Sequence, residues 1–328
     1  MVLEIKTSAL EPVRNVYANL ERRFGDKAAS RYQEATYDLQ SVVNFHYRPL
    51  WQPQHELNDR ARTAIVMSDW YDFKDPRQFY YGAYVQNRAK MQEIAESDFA
   101  YFDKRALKDN LSPKVCDYLI HRLLPLRHAE STANLNNMYG CAFGFGTAIT
   151  QALLYNAMDR LGIAQYLSRI GLLLDHNSGS SLAAAKDSWL HAAEWQGLRA
   201  LCEQMTVVQD WFEVVLAQNL VLDTLVFDLF YRQMDDKLVA DGARDVALLT
   251  DFMRSWNKDI CRWFDAVVKA AAAESDANRA QLNQWIADWR ARAAEALAPI
   301  ASAALGDDAL AQALAALDTR VSKLGLGA

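Results

Sequence analysis

The chain has 328 residues, of which 51% are hydrophobic and 23% charged, the balance of a soluble globular protein with enough length for one large domain or two ordinary ones. Its formal net charge of -6 and pI near 5.6 supply no basic field to hold a polyphosphate, which argues against nucleic-acid binding. Cys116, Cys141, Cys202 and Cys261 form no CxxC and follow no signal-like N-terminus, so the expected setting is a reducing cytoplasm and not a disulfide framework.

The first 75 residues predict little regular structure. One helix is expected over residues 12–24. The segment KAASRYQEATYDLQSVVNFHYRPLWQPQHELND that follows has no sustained period, yet it carries Tyr32, Tyr37, Phe45, Tyr47 and Trp51. Rings of this size need apolar cover. Residues 1–75 are therefore expected to be an irregular arm that binds a partner through Tyr32, Tyr37, Phe45, His46, Tyr47 and Trp51, or else an arm folded back on its own bundle.

From residue 76 the pattern is helical. The seven prolines fall at 12, 49, 53, 76, 113, 125 and 299, leaving residues 126–298 free of them and open to long helices. Tyr80, Tyr84, Met91, Ile94, Ala95, Phe99 and Phe102 recur at helical spacing after Asp75-Pro76. Further helices are expected to start at Ser112-Pro113, at Ser181, near Asp241-Gly242 and at Ser275/Asp276. No alternating Val, Ile or Thr run bounded by turns marks a strand, so residues 76–305 predict an all-α helical bundle. Residues 306–328, rich in alanine, predict an accessory helix capped by Asp307/Asp308 and closed by Gly325.

Residues 131–158 contain no charge and are long enough to span a bilayer. Asn134, Asn136, Asn137, Thr147, Thr150, Gln151 and Asn156 would strand too many amides and hydroxyls in lipid, whereas Gly140, Gly144 and Gly146 suit close backbone approach inside a protein. No membrane span is expected.

A two-metal centre in such a bundle draws carboxylates from several helices and Glu-x-x-His from two of them, three residues being about one turn. The sequence has no ExxH: His46, His55, His121, His128, His176 and His191 are preceded at that distance by Val43, Gln52, Tyr118, Pro125, Leu173 and Ser188. In LRHAESTANLNN, residues 126–137, His128 and Glu130 are two apart and point roughly 200° from one another. Asp187, His191 and Glu194 in DSWLHAAE do share a face, but Trp189, Leu190 and Trp195 claim the buried directions and leave those three as a solvated stripe. There is no GxxxxGK[ST] and no GxSxG, and GCAFGFG lacks a preceding strand.

The segments EPVRNVYANLERRFGDKAASRYQEATYD, NFHYRPLWQPQHELND, DPRQFYYGAYVQNRA, MDRLGIAQYLSRIGLLLD, WQGLR and DWFEVVLAQNLVLD resemble the β, or smaller hydroxylase, subunit of bacterial multicomponent phenol hydroxylases, from about residue 4 to 298. The resemblance implies a ferritin-like helical bundle without a metal of its own. It also implies a large α partner that carries a di-iron centre, and a small γ subunit in an α2β2γ2 assembly. A coupling protein and a reductase would complete the conversion of phenols to catechols with O₂ and NADH. By helix order, the positions of a lost metal site would fall on Glu130, Asp259 and Arg262, with Arg262 expected to fill the old site as a buried ion pair with Asp259 or an acid on a facing helix.

Overall fold

The computed structural model describes residues 18–41, 48, 50 and 52–327, and among these there is no strand. Twelve helices are used below: α1 Ala18–Phe24, α2 Arg31–Thr36, α3 Tyr81–Lys104, α4 Pro113–Arg122, α5 Leu126–Phe143 and α6 Thr147–Leu174 in the first half. The second half holds α7 Ser180–His191, α8 Ala193–Met205, α9 Trp211–Ala240, α10 Ala247–Glu274, α11 Asp276–Leu305 and α12 Ala309–Lys323.

Several starts follow from local chemistry. Ser112 Oγ accepts the Val115 amide ahead of Pro113, and Ser275 Oγ accepts the Asn278 amide at the head of α11, each satisfying a donor that the first turn leaves free. The α3 start differs from expectation. Asp75 caps a turn by accepting the Arg77 amide at 2.8 Å, Gln78 takes a φ of 54°, and the helix begins only at Tyr81. Ile94, expected in the core, is exposed.

The antiparallel pair α5 and α6 packs with α9 and α10 into a four-helix core, with α3 along α10 and touching α6 through Tyr84 and Arg88, and with α8 and α11 crossing beside α9. α9 is long and apolar enough to cross a membrane, but it is buried at the centre of the bundle. α12 lies back on α9 and α11, with Ala313 and Leu317 buried. Close crossings use glycine. A β-carbon on Gly140 would sit 2.6 Å from Val215 Cγ1, and one on Gly197 would sit 2.5 Å from the Ala296 carbonyl oxygen.

The described part of the N-terminal region folds onto its own chain. Tyr32 and Tyr37, expected at a partner surface, are instead buried with Leu20, Tyr71 and Ala148. Tyr37 stacks on Tyr71 with centroids 5.7 Å apart, and Tyr32 Oη accepts the Asp75 amide at 2.8 Å. Asn278 on α11 bonds both the amide and the carbonyl of Val66, at 3.1 and 2.8 Å. The physical reason is supply: the α6 flank offers apolar cover close in space, so these rings need no second chain. Phe45, His46, Tyr47 and Trp51 lie outside the described residues.

Two of the helical glycines, Gly197 and Gly162, give opposite expectations. Gly197→Ala forces α8 away from the α11 backbone and should cost roughly 1 to 3 kcal/mol, whereas Gly162→Ala on α6 meets open space and should gain up to about 1 kcal/mol of helix propensity. Urea midpoints of the two variants check this, and equal midpoints would refute the close crossing of α8 and α11.

Candidate functional site

An apolar bundle has no use for charge at its centre unless each charge is matched. This one nevertheless places polar side chains from α5, α6 and α9 between its four helices. Arg160 of α6, only 1% exposed, donates from Nη1 to Glu130 Oε2 on α5 at 3.2 Å and from Nη2 to Asp223 Oδ2 on α9. Its guanidinium lies over the Trp256 ring of α10, 4.8 Å from the centroid. One side chain thus touches all four helices.

The network extends outward by amides. Gln218 donates to Asp223 Oδ1 at 2.7 Å and accepts from Asn136 at 2.9 Å. α9 makes this possible because residues 217–222 and 228–233 are π-helical, which brings residues five apart together. Gln233 and Asp228 repeat the relation at 2.7 Å. One turn along, Asn137 of α5, Asn156 of α6 and Asn219 of α9 form a second buried layer, with contacts of 2.8, 2.9 and 3.0 Å. A third cluster faces α3. Asp159 accepts from Arg88 Nε at 2.9 Å, Tyr84 Oη at 2.9 Å and Trp256 Nε1 at 2.6 Å. It borders a cavity of about 370 Å³ between α3, α6 and α10, whose buried polar groups are engaged with one another.

Two carboxyl groups around one guanidinium leave a surplus of negative charge, and burial relieves it. Desolvation lifts the Glu130 carboxyl to about 7, against the pull of Arg160 and with a push from Asp223, so Glu130 holds its proton up to about neutral pH and one guanidinium then faces one carboxylate. Tyr231, fully buried near the same charges, is held well above the ordinary phenol range by desolvation, and its hydroxyl and Arg160 Nε have no partner among the described residues.

The expected positions fare unequally. Glu130 lies in the core as described, but Asp259 turns to Arg88 Nη1 at 3.3 Å. Arg262 is exposed and, among the described residues, reaches the Pro76 carbonyl at 3.5 Å. The expectation that Arg262 fills an inner site as a buried ion pair is therefore corrected: α10 turns that position outward, and the buried guanidinium is Arg160. His128 stacks on Trp189, and burial lowers its imidazole to about 4. Asp187 and His191 pair at 2.9 Å in solvent, while a break at Ala192 sends Glu194 to Arg122 at 2.5 Å. Among the described residues no group of three or more His, Cys, Asp or Glu is placed to hold a metal ion. Arg160, Asp223 and Gln218 were missed in the sequence. Their signal was a few polar groups inside otherwise apolar helical runs, which burial makes costly and therefore purposeful.

The family model described as Methane/Phenol/Alkene Hydroxylase matches residues 51–275. The chain is 55% identical to phenol 2-monooxygenase, oxygenase component MhpL, of Acinetobacter pittii (strain PHEA-2), over 99% of this chain and 98% of the relative. It is 24% identical to the propane 2-monooxygenase, hydroxylase component small subunit, of Rhodococcus jostii (strain RHA1), over 84% of this chain and 78% of that one. A xenon-pressurized crystal structure of phenol hydroxylase from Pseudomonas sp. OX1 superposes with a TM-score of 0.93 at 49% identity, covering 99% of both chains.

Arg160→Met strips the shared cation from Glu130 and Asp223 and should cost about 3 to 5 kcal/mol. Glu130→Gln isolates the proton. With its folded value about 7 and its ordinary value 4.5, the unfolded chain releases the Glu130 proton first. The contribution of Glu130 is thus fully present below pH 4.5 and is lost as pH rises through 7, by roughly 3 kcal/mol. Denaturant titrations of wild type and Glu130→Gln from pH 4.5 to 8 should show wild type losing ground to the variant as pH rises, and the reverse trend would refute the assignment.

Proposed function

The chain belongs to the methane, phenol and alkene hydroxylase family, and from that premise we propose that it is the smaller, non-catalytic subunit of a phenol-hydroxylating oxygenase component. A di-iron centre is the cofactor such a family implies, and the residues present do not fit one. At the crossing of the four helices stands Arg160 between Glu130 and Asp223, and a guanidinium has no lone pair to offer a metal. That single arrangement carries the reading. No step of the reaction is routed through this chain.

In this reading the iron, and the O₂ chemistry it supplies, reside in a larger α subunit, with a small γ subunit completing an α2β2γ2 component. A coupling protein and an NADH-dependent reductase serve it, and phenols leave as catechols. The contribution of the present chain is mechanical: a rigid bundle packed against α holds the partner's helices in place and limits water at its site. Four unpaired thiols suit a cytoplasmic setting. The rival in which Asp187, His191 and Glu194 make an independent metal site is disfavoured, because these side chains diverge across the α7–α8 break.

Expression of this chain alone, of the larger chain alone, and of both together tests the proposal. Phenol hydroxylation is expected only when the larger chain is present, and Glu130→Gln in this chain should leave the rate of the assembled component unchanged. Stoichiometric iron on the isolated chain, lost on Glu130→Ala or Asp223→Ala, would overturn it.

A further inference from the structure

The inner faces of α5 and α6 are spent on the polar layers, and their outer faces are unlike the rest of the surface. On α5 the exposed side chains from residue 131 onward are Ser131, Leu135, Met138 and Ala142. On α6 those up to residue 165 are Leu154, Met158, Leu161 and Gln165. Each set repeats at intervals of four, three and four, which is one stripe of a helix. None of the eight is charged. In a chain with 23% charged residues, two neighbouring solvent-facing stripes without a charge are a feature to be explained.

The stripes form one surface. Asn134 of α5 donates to the Ala157 carbonyl of α6 at 2.7 Å, which holds the helices side by side. Tyr84 of α3 stacks on Tyr155 of α6 with centroids 4.4 Å apart, so exposed Tyr81 and Val85 on the next faces of α3 extend the apolar area. Of fourteen large apolar side chains exposed in the described structure, nine lie on these three adjacent helices, and seven of the nine are on the two stripes and the first turns of α3. A contiguous apolar patch of this kind marks an interaction site, and loss of charge at its centre is the compositional mark of a permanent interface.

We propose that the outer face of α5 and α6, flanked by the first turns of α3, is where the larger hydroxylase chain docks, through an uncharged helical face of its own. This rests on the reading of the chain as the small subunit, which supplies a permanent partner. Only an uncharged face meets this one without desolvating an unpaired charge. Two parallel stripes at helical spacing ask for helices in return. The polar layers beneath, from Glu130 to Asn137 and Asn156 to Arg160, lock the two helices together, so the surface is formed before the partner arrives and little ordering is needed on binding.

The test compares Leu135→Glu/Leu161→Glu with a control, Val207→Glu/Val239→Glu, which alters two apolar side chains elsewhere that are at least as exposed. Each full-length chain, tagged, is co-expressed with the larger chain, and the isolated chains are examined by circular dichroism and sedimentation. All three isolated chains should be helical, wild type and control should co-purify with the larger chain, and the face variant should lose it by more than about tenfold. Undiminished co-purification of the face variant would overturn the docking surface while leaving the small-subunit reading intact. So would an isolated wild-type dimer that the face variant dissociates without loss of the larger chain, since the occupant would then be a second copy. If wild type itself fails to co-purify, the small-subunit reading fails and the docking proposal falls with it.

Discussion

The constraint on which the structure depends is that a guanidinium sits where four helices cross. Arg160 bonds α5 through Glu130 and α9 through Asp223, and lies against Trp256 of α10. Burying an arginine is costly unless its charge is matched, so the positions of the three neighbours follow from it. Asp223 must be held at the right rotation of α9, and Gln218 does that from five residues away across a π turn. Glu130 must stop adding charge, and desolvation keeps it protonated up to about neutral pH. The asparagine layer formed by Asn137, Asn156 and Asn219 then sets the register one turn along, as buried polar pairs do when many apolar registers would otherwise be alike.

Helices locked from the inside leave their outer faces free for other work. Between residues 131 and 165, α5 and α6 devote one face to polar contacts within the bundle and present the other without charge. The uncharged run from residue 131 to 158, long enough in sequence to span a bilayer, thereby serves a hydrogen-bonded interior on one side and an uncharged exterior on the other. The long apolar α9 has a different explanation, being enclosed by its neighbours.

Much of the fold is legible in the sequence because helix signals are local. Ser112-Pro113 and Ser275 start helices by chemistry confined to one turn, and the absence of strand patterning extends over the whole chain. Gly140 stands where a helix crossing is close, as its place in an uncharged run suggests. Where local signals mislead, tertiary contact decides. Asp75-Pro76 reads as a helix start, yet its residues serve a turn that brings the Tyr32 pocket against α6, and α3 starts only at Tyr81. The site is less legible, since it depends on which turn of each helix faces the crossing. Helix order points to Arg262, but the rotation of α10 sends that side chain to solvent and gives the interior to Arg160. Tyr32 and Tyr37 suggest a partner only until the flank of α6 is in view.

In the function proposed above, hydrogen bonds around Arg160 close this bundle without a metal ion. Thermal unfolding of the isolated chain under anaerobic conditions, with and without excess Fe(II), tests it most directly, because a ligand that binds only the folded state must raise the melting temperature with its concentration. The same Tm is expected in both. A Tm that climbs with Fe(II), and falls back on chelation, would contradict it.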